Sequence, residues 1–271
     1  MNDIFRYMRT TKKWWIIPLI VAFLPFVSFS AWTGVTSFET TDGSTSPTDG
    51  NGVELTGDGS GWSTNWAQIQ STENDYDNSQ AYAGTWSLLQ DTQTGVTNNE
   101  PRIERNIATT TTGYVCVNIR KSKTNRNDTG IALSLNTFNT GTNRATYTTF
   151  SPVTSGPGEL WSYNGASFGV IVSGVQNANT WYELCIDFDA TTDTYNIYLN
   201  GVKRNGTALN FNNSLTGIDR ITLITTAASS IGSTAGTQTW YDNIRSGPTS
   251  VTETFIGTQI RGATIRGAVI K

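Results

Sequence analysis

The sequence predicts an all-β protein built as an antiparallel sandwich of two sheets. After residue 31, apolar and polar residues alternate over short runs, and Gly, Asn, Asp and Ser separate the runs. No segment there carries the 3.6-residue apolar repeat of an amphipathic helix. No repeat of about 40 to 50 residues marks propeller blades, so a dozen or more short strands favour a sandwich.

The first 30 residues have the composition of an export signal. A basic start precedes an uncharged run from Trp14 to Phe29, and Ser28 and Ser30 supply small residues before a predicted cleavage site at Ala31. The run is shorter than the roughly 20 residues that span a membrane. We expect a cleaved secretory signal and a secreted or cell-surface protein. An uncleaved membrane anchor is the alternative, and it would be the protein's only link to a membrane.

Residues 31–248 form the predicted sandwich domain. A tight Asn200-Gly201 turn, typical of a hairpin, ends the strand that begins near residue 194. By alternation and turn residues, strands are predicted at residues 36–40, 52–56, 85–90, 102–108, 113–121, 130–136, 144–150, 158–162, 167–172, 181–189, 194–200, 219–225 and 239–244.

Residues 249–271 form a C-terminal tail after the linker-like Ser246-Gly247-Pro248. The tail contains a near-repeat of five residues with basic residues in one register, and it is too short to bury a core alone. It would dock on its own domain, add an edge strand, pair with another chain in self-association, or hang free.

Cys116 and Cys185 are the two cysteines, which in an exported chain are most simply one disulfide. Each lies in an alternating segment, opposite the apolar set. They can bond if the two strands are neighbours in one sheet, and otherwise they are unpaired, half-exposed thiols.

Composition limits the chemistry. The chain has no His, which removes the commonest general base and the usual zinc ligand, so catalysis would depend on carboxylates, Tyr, Lys or Arg. Charged residues are 14% and the net charge is −3, which excludes an electrostatic case for nucleic acid. Aromatic residues are 11%, enough to supply stacking surfaces as well as a core.

Two groups of motifs resemble known families. The segment from Trp181 to Asp189, followed by the Thr194-to-Gly201 hairpin, resembles the concanavalin A-like lectin/glucanase superfamily and its laminin-G-like jelly rolls. Ser37-Phe38-Glu39, Gly61-Trp62 and the segment 240–244 are similar to the frame of β-sandwich carbohydrate-binding modules. The resemblance implies two antiparallel sheets, one of them bent into a concave face for polysaccharide.

The resemblance implies a non-catalytic, lectin-like module that binds a polysaccharide or cell-surface glycan. Aromatic faces stack on pyranose rings, and amides and carboxylates bind hydroxyls. A structural, adhesion or assembly protein without sugar binding is the alternative, in which these side chains face water. The non-core positions of the two Cys strands give the candidate ligand residues Tyr114, Asn118, Arg120, Trp181, Glu183 and Asp187.

Two enzyme classes stay as further alternatives. Glu183, Asp187 and Asp189 invite comparison with family 16 glycoside hydrolases, but the Glu-x-Asp-x-Glu pattern is missing. Arg102-Ile103-Glu104-Arg105 resembles the Arg-x-Glu strand of jelly-roll polysaccharide lyases. Without His, a lyase would need a Tyr base such as Tyr114 or Tyr198.

Related sandwiches often join their first and last strands through one calcium ion. Glu39 and Asp242 look like those ligands, and Asp42 is a further candidate. The alternative is that these are surface carboxylates near strand ends.

Overall fold

Two antiparallel sheets pack face to face in the described part of the chain. The computed structural model describes residues 34–39, 66–70, 74–92, 101–125, 127–136, 142–226 and 237–247. Within these ranges there are sixteen strands: β1 (Gly34–Thr36), β2 (Ala67–Gln70), β3 (Asn74–Asp77), β4 (Ser87–Asp91), β5 (Arg102–Thr110), β6 (Thr112–Lys121), β7 (Thr129–Ser134), β8 (Arg144–Ser151), β9 (Gly158–Asn164), β10 (Ser167–Gln176), β11 (Trp181–Asp189), β12 (Thr194–Leu199), β13 (Val202–Lys203), β14 (Leu209–Asn210), β15 (Ile218–Thr225) and β16 (Gln238–Gly247).

The order of the strands within each sheet differs from their order along the chain, because the chain passes repeatedly from one sheet to the other. One sheet has nine strands in the order β13-β12-β11-β6-β16-β4-β3, with β1 beside β16 and β14 beside β12. The other has seven strands in the order β10-β9-β8-β7-β15-β5-β2. The predicted all-β, two-sheet sandwich is therefore confirmed. No helix long and apolar enough to cross a membrane occurs in the described residues.

The core lies between the sheets and follows the alternation of the sequence. Residues such as Val117, Leu184 and Leu223 are fully buried in one apolar cluster. Two tyrosines also bridge the sheets: the Tyr241 hydroxyl donates to the Ile224 carbonyl (2.9 Å), and the Tyr195 and Ser162 hydroxyls are 2.7 Å apart. Burial raises the pKa of Tyr195 to about 12. These phenols remain protonated and hold the layers together.

Charged side chains also enter the interior, and Lys121 is one of them. Lys121, at the end of β6, is buried, and its Nζ donates to the carbonyls of Asn127 and Phe150. Burial lowers the pKa of Lys121 to about 7, against a smaller opposing effect of Asp128. The same burial raises the pKa of Asp128. The lysine thus joins β6 to the opposite sheet through β8.

The edge strand of the seven-stranded sheet is irregular. β10 pairs with β9, and the register shifts between Val170 and Val172 and again before Gln176. Gly174 adopts a positive φ of 69° within this second shift, a conformation that side chains disfavour.

Most predicted strands overlap observed ones, and the predicted Asn200-Gly201 hairpin is confirmed. Both turn residues have positive φ (50° and 75°), as a type I′ turn requires. The first predicted strand is wrong in part, because β1 ends at Thr36 and Phe38 has a φ of 58°. The predicted signal segment 1–30, the tail 249–271, Asp42 and the strand predicted at 52–56 lie outside the described residues.

Candidate functional site

The six predicted ligand residues lie together on the outer face of the nine-stranded sheet. β6 and β11 are antiparallel neighbours, and their register pairs Arg120 with Trp181, Asn118 with Glu183 and Tyr114 with Asp187. Residues directly opposite in such a pair share a face. The six positions therefore form one block two strands wide.

Their side chains are largely engaged within the protein. Tyr114 and Asn118 are only 2% and 1% exposed, and burial raises the pKa of Tyr114 to about 12. Glu183 forms an ion pair with Arg245 of β16. Tyr114 and Asn118 are thus covered, whereas Glu183 and Asp187 are partly exposed, so only part of this block is open in the way that a sugar-binding surface requires.

The end of this block that contains Arg120 and Trp181 makes contacts with aromatic rings. The Arg120 guanidinium carbon is 4.9 Å from the Trp240 ring centroid, and Arg120 Nε donates to the Asn179 carbonyl (3.2 Å). Trp181 meets Tyr82 edge to face, with ring centroids 5.8 Å apart. Arg120 and Trp181 thus pack mainly against other side chains of the protein.

Cys116 and Cys185 occupy the middle of this block and form a disulfide. They are paired directly across β6 and β11, with Cα atoms 4.0 Å apart. Tyr114 and Tyr198 pack with the two buried cysteines in a small outer cluster. The bond therefore links two strands that are already neighbours.

Two of the three carboxylates that were compared with those of glycoside hydrolases, Glu183 and Asp189, are engaged by neighbouring groups of the protein. Asp187 and Asp189 line a pocket of about 320 Å³ at the end of β11. Asp189 accepts hydrogen bonds from the Thr191 hydroxyl and amide, and the hydroxyl bond is the main reason why its pKa is lowered. A glycosidase needs one carboxyl that stays protonated. The hydrogen bond that lowers the pKa of Asp189 favours its ionised form, and Glu183 is ion paired with Arg245.

Glu39 and Asp242 both accept hydrogen bonds from backbone amides of the segment that precedes β4. Glu39 Oε1 accepts the Thr85 and Trp86 amides, and Asp242 Oδ2 accepts the Tyr82 and Ala83 amides at 2.8 and 3.0 Å. Asp242 is fully buried, and burial, together with the charge of Glu39, raises its pKa to about 6. The described bonds of Glu39 use only Oε1, so Oε2 remains for a hard cation.

The charge and the oxygen atoms of this pair suit calcium, although two carboxylates do not complete its shell. Among the described residues, no group of three or more His, Cys, Asp or Glu forms a metal cluster. Backbone carbonyls or Asp42, which lies outside the described residues, would have to add ligands.

The lyase-like strand lies on the other sheet from its proposed base. Arg102 and Glu104 are in β5 of the seven-stranded sheet, whereas Tyr114 and Tyr198 are in β6 and β12 of the nine-stranded sheet. Both tyrosines point to the outer cluster around the disulfide. The expectation that Tyr114 or Tyr198 serves this strand is therefore wrong, because the core separates them.

The outer face of the seven-stranded sheet carries a charged cluster. Glu104 is 1% exposed and accepts from Arg220 Nη1 (3.0 Å), while Arg102 Nε is 3.9 Å from its other oxygen. In register, Thr222 of β15 lies beside Glu104. Among the described residues, Glu104 Oε1 and Thr222 Oγ1 are buried without a hydrogen-bond partner. Such atoms usually find one in a folded protein or its ligand.

An aromatic cluster lies on the same face toward β10. Phe168 is at its centre, with ring-centroid distances of 5.7 Å to Tyr147, 5.6 Å to Trp161 and 4.9 Å to Tyr163. Arg144 Nη2 donates to the Tyr163 hydroxyl (3.0 Å), with its guanidinium carbon 4.5 Å from the ring centroid. Trp161, Tyr163 and Phe168 are partly exposed.

Small residues of β7 separate the two clusters. In register, Ala132 lies between Thr222 and Tyr147. Gly130, two residues earlier in the same strand and on the same face, lies between Ile224 and Thr149. The face therefore combines guanidinium groups, aromatic rings and two carboxylates, on either side of the small residues of β7. The second carboxylate is that of Glu159, which accepts a hydrogen bond from the Trp161 indole (2.8 Å). We call this face the front face, defined by Arg102, Glu104, Arg144, Tyr147, Trp161, Tyr163, Phe168, Arg220 and Thr222.

Of the front face, only Arg102 and Glu104 belong to a motif singled out in the sequence. Trp161 and Tyr163 alternate with Leu160 and Ser162, which is a usable signal for one aromatic face. Arg144 and Tyr147 are three positions apart and share a face only because the register of β8 shifts between them, which alternation does not predict. The significance of the aromatic signal depends on which strands are neighbours, and alternation does not give that order.

The comparisons with known proteins concern the fold. No family model and no curated protein matches the chain. Among solved structures, a variant of alginate lyase Aly36B with alginate tetrasaccharide is similar at a TM-score of 0.54 and 14% identity, over 69% of this chain and 87% of that one. Domain 4 of AbnA, an extracellular arabinanase from Geobacillus stearothermophilus solved with arabinotriose, gives 0.51 and 13%, over 84% and 97%.

A sialidase gives a TM-score of 0.52 and 12% identity over 68% of this chain, and the match spans only 17% of the sialidase. At these identities the likeness concerns the fold alone. The chain has a β-sandwich fold that these carbohydrate-active proteins also contain.

Proposed function

We propose that this protein binds an acidic polysaccharide or glycan on its front face. The observation that carries the proposal is the contact of Arg144 with Tyr163 at the border of a four-ring aromatic cluster, with Arg102 and Arg220 on the same face. Aromatic rings stack on the apolar faces of pyranoses, and guanidinium groups bind carboxylates in a fork geometry. A uronate-containing chain carries both features.

The finer assignment rests on the sequence motifs together with the fold. We propose that the chain is a concanavalin A-like, laminin-G-like module that is exported and meets its glycan outside the cell. The export signal predicted for residues 1–30, the disulfide and the likeness to a lyase solved with alginate tetrasaccharide support this proposal.

Affinity electrophoresis in gels that contain alginate, polygalacturonate or a neutral β-glucan tests the proposal. We expect retardation by the acidic polymers only, and about tenfold weaker binding in Trp161→Ala and Arg144→Gln, since each removes roughly 1.4 kcal/mol of contact. Arg120→Gln is the matched control, because Arg120 lies in the nine-stranded sheet, away from the front face, and stacks on Trp240 of that same sheet. Lack of retention on every polymer would favour the structural or adhesion alternative.

A second candidate is polyuronate β-elimination at the same face. Such a reaction neutralises the carboxylate, removes the adjacent proton with a base and protonates the leaving oxygen. Arg144 and Tyr163, hydrogen bonded at 3.0 Å, are a neutralising group and a proton-transfer group next to each other. Ultraviolet absorbance of an unsaturated product from alginate or polygalacturonate, lost in Tyr163→Phe, would identify a lyase. Binding without this product indicates a non-catalytic module.

We also propose a structural calcium ion between Glu39 and Asp242. The buried Asp242 carboxylate beside a second carboxylate supports it. Saturating calcium, at about 100 times its Kd, should stabilise the fold by about 2.7 kcal/mol. A chelator should lower the Tm of the wild type but not that of Asp242→Asn. Asp219→Asn, which removes a carboxylate from the other sheet, is the control and should respond to the chelator like the wild type. An unchanged Tm of the wild type would contradict the proposal.

A further inference from the structure

We infer a second ligand pocket, at the open side of the sandwich, for one carboxylate-bearing sugar unit. This edge pocket has a volume of about 330 Å³ and lies between the β9–β10 hairpin and the loop after β13. It is separate from the front face and does not depend on the proposed function of that face. Its lining includes Asn164, Ser167, Gly169, Val170, Arg204 and Thr207.

Arg204 gives the pocket its charge. Its amide donates to the Ile197 carbonyl (2.8 Å), which continues the β12–β13 pairing by one residue. Because paired residues share a face, Arg204 lies on the inner side of the sheet, like the core residue Ile197. A cation therefore lines the entrance between the two sheets, at a position where an apolar side chain would extend the core.

The described residues supply no counter-charge for Arg204. Their ion pairs join Glu104 to Arg102 and Arg220, and Glu183 to Arg245. Arg204 Nε is buried without a hydrogen-bond partner in this part of the chain. A buried guanidinium nitrogen without a partner is costly, and an anionic ligand would satisfy it.

Neutral hydrogen-bonding groups lie around the same pocket. Asn164 Oδ1 accepts from the Asn210 amide (3.0 Å) and side chain (3.3 Å), and these bonds leave Asn164 Nδ2 as a donor. Ser167 and Thr207 are exposed, and no described hydrogen bond uses their hydroxyls. The set can bind hydroxyl groups as well as a carboxylate.

The pocket also has room and an apolar wall. A side-chain carbon added at Gly169 or Gly206 would meet no atom within 4 Å, so the backbone is open to a ligand at both positions. Ile171 also lines the pocket, and it is partly exposed while it packs against the core. An apolar patch beside convergent polar groups is the usual form of a small-ligand site. A carboxylate on Arg204 and a ring edge on Ile171 specify an acidic pyranose, either as a free sugar or as the end of a chain.

The test is a titration with glucuronic acid, with glucose as the uncharged comparison, followed by NMR and calorimetry. We expect glucuronic acid to bind the wild type and to bind Arg204→Gln about tenfold more weakly or worse, because a charged hydrogen bond is lost. Lys203→Gln is the matched control: it removes the same charge one residue away, from an exposed side chain on the opposite face. Equal loss in both variants, or equal binding of glucose, would overturn the inference.

Gly169→Leu tests the space independently of charge. Gly169 does not have a positive φ, and the new side chain would enter open space, so the fold should remain while binding is lost. Retained binding in this variant would also overturn the inference. A uronate trimer distinguishes the two sources of the sugar: tighter binding than glucuronic acid in Arg144→Gln indicates a chain end, and equal binding a free sugar. Because Arg144 belongs to the front face and does not line the edge pocket, either proposal can fail alone.

Discussion

Replacing Lys121 by Met should remove most of the change in stability that the protein shows between about pH 7 and pH 9. The wild-type lysine is buried, and desolvation lowers its pKa from 10.5 to about 7. In the unfolded chain it takes up a proton below about pH 10.5, whereas the folded protein takes it up only below about pH 7. Between these values the unfolded state binds more protons, so stability rises with pH.

The magnitude follows from the two pKa values. Over the whole interval the difference corresponds to about 5 kcal/mol, and the part between about pH 7 and pH 9 is about 2 kcal/mol. The interval is free of two usual competing groups, because the chain has no His and both cysteines are in the disulfide. Asp128, the carboxyl that interacts with Lys121, has its pKa raised by burial, and its interaction with the lysine opposes the lysine shift.

Urea unfolding at three pH values across this range would measure the effect. We expect the free energy of unfolding of the wild type to increase by about 2 kcal/mol and that of Lys121→Met to remain flat. Met also leaves the Asn127 and Phe150 carbonyls without their donor, so the variant should be less stable at pH 9.

Lys203→Met, at an exposed position of β13, serves as the control and should keep the wild-type slope. A wild-type stability that stays flat or falls over this range would refute the reasoning. The same slope in Lys121→Met would show that another group is responsible.

Two further predictions concern stability. Reduction of the Cys116–Cys185 disulfide, or the double change to Ala, should lower the free energy of unfolding by about 4 kcal/mol, because the bond closes a loop with a sequence separation of 69. Urea unfolding with and without reductant measures this loss. An unchanged unfolding midpoint would contradict the prediction. Tyr195→Phe should cost about 1 kcal/mol by removing the hydroxyl that joins β12 to Ser162 of β9; thermal unfolding measures it against Tyr82→Phe at an exposed position, which should be neutral.

The sequence predicted the layers better than the site. Alternation in β6 and β11 correctly assigned Val117 and Leu184 to the core and put the two cysteines on the outer faces. It assigned no strand to β2 or β3, each only four residues long, since so short a segment cannot show a period.

Local alternation could not predict the front face, because residues that are distant in the sequence form it. Arg220 meets Glu104 across 116 positions of sequence, and the aromatic rings come from three strands. Alternation tells which residues of one strand share a face, but long-range pairing decides which strands adjoin. The outer face of the nine-stranded sheet was equally compatible with the pattern, and only side-chain contacts such as Glu183 with Arg245 show which of its polar residues are engaged within the protein.

The irregular pairing of β10 has a consequence for solubility. An edge strand of ten residues rich in Phe, Val and Ile, without proline or charge, would normally present a template for strands of other molecules. The two register shifts and the left-handed Gly174 interrupt the regular spacing of amide and carbonyl groups that an incoming strand needs. The strand beside the edge pocket is thereby a poor template for strand addition, although it has no charged residue to repel a partner.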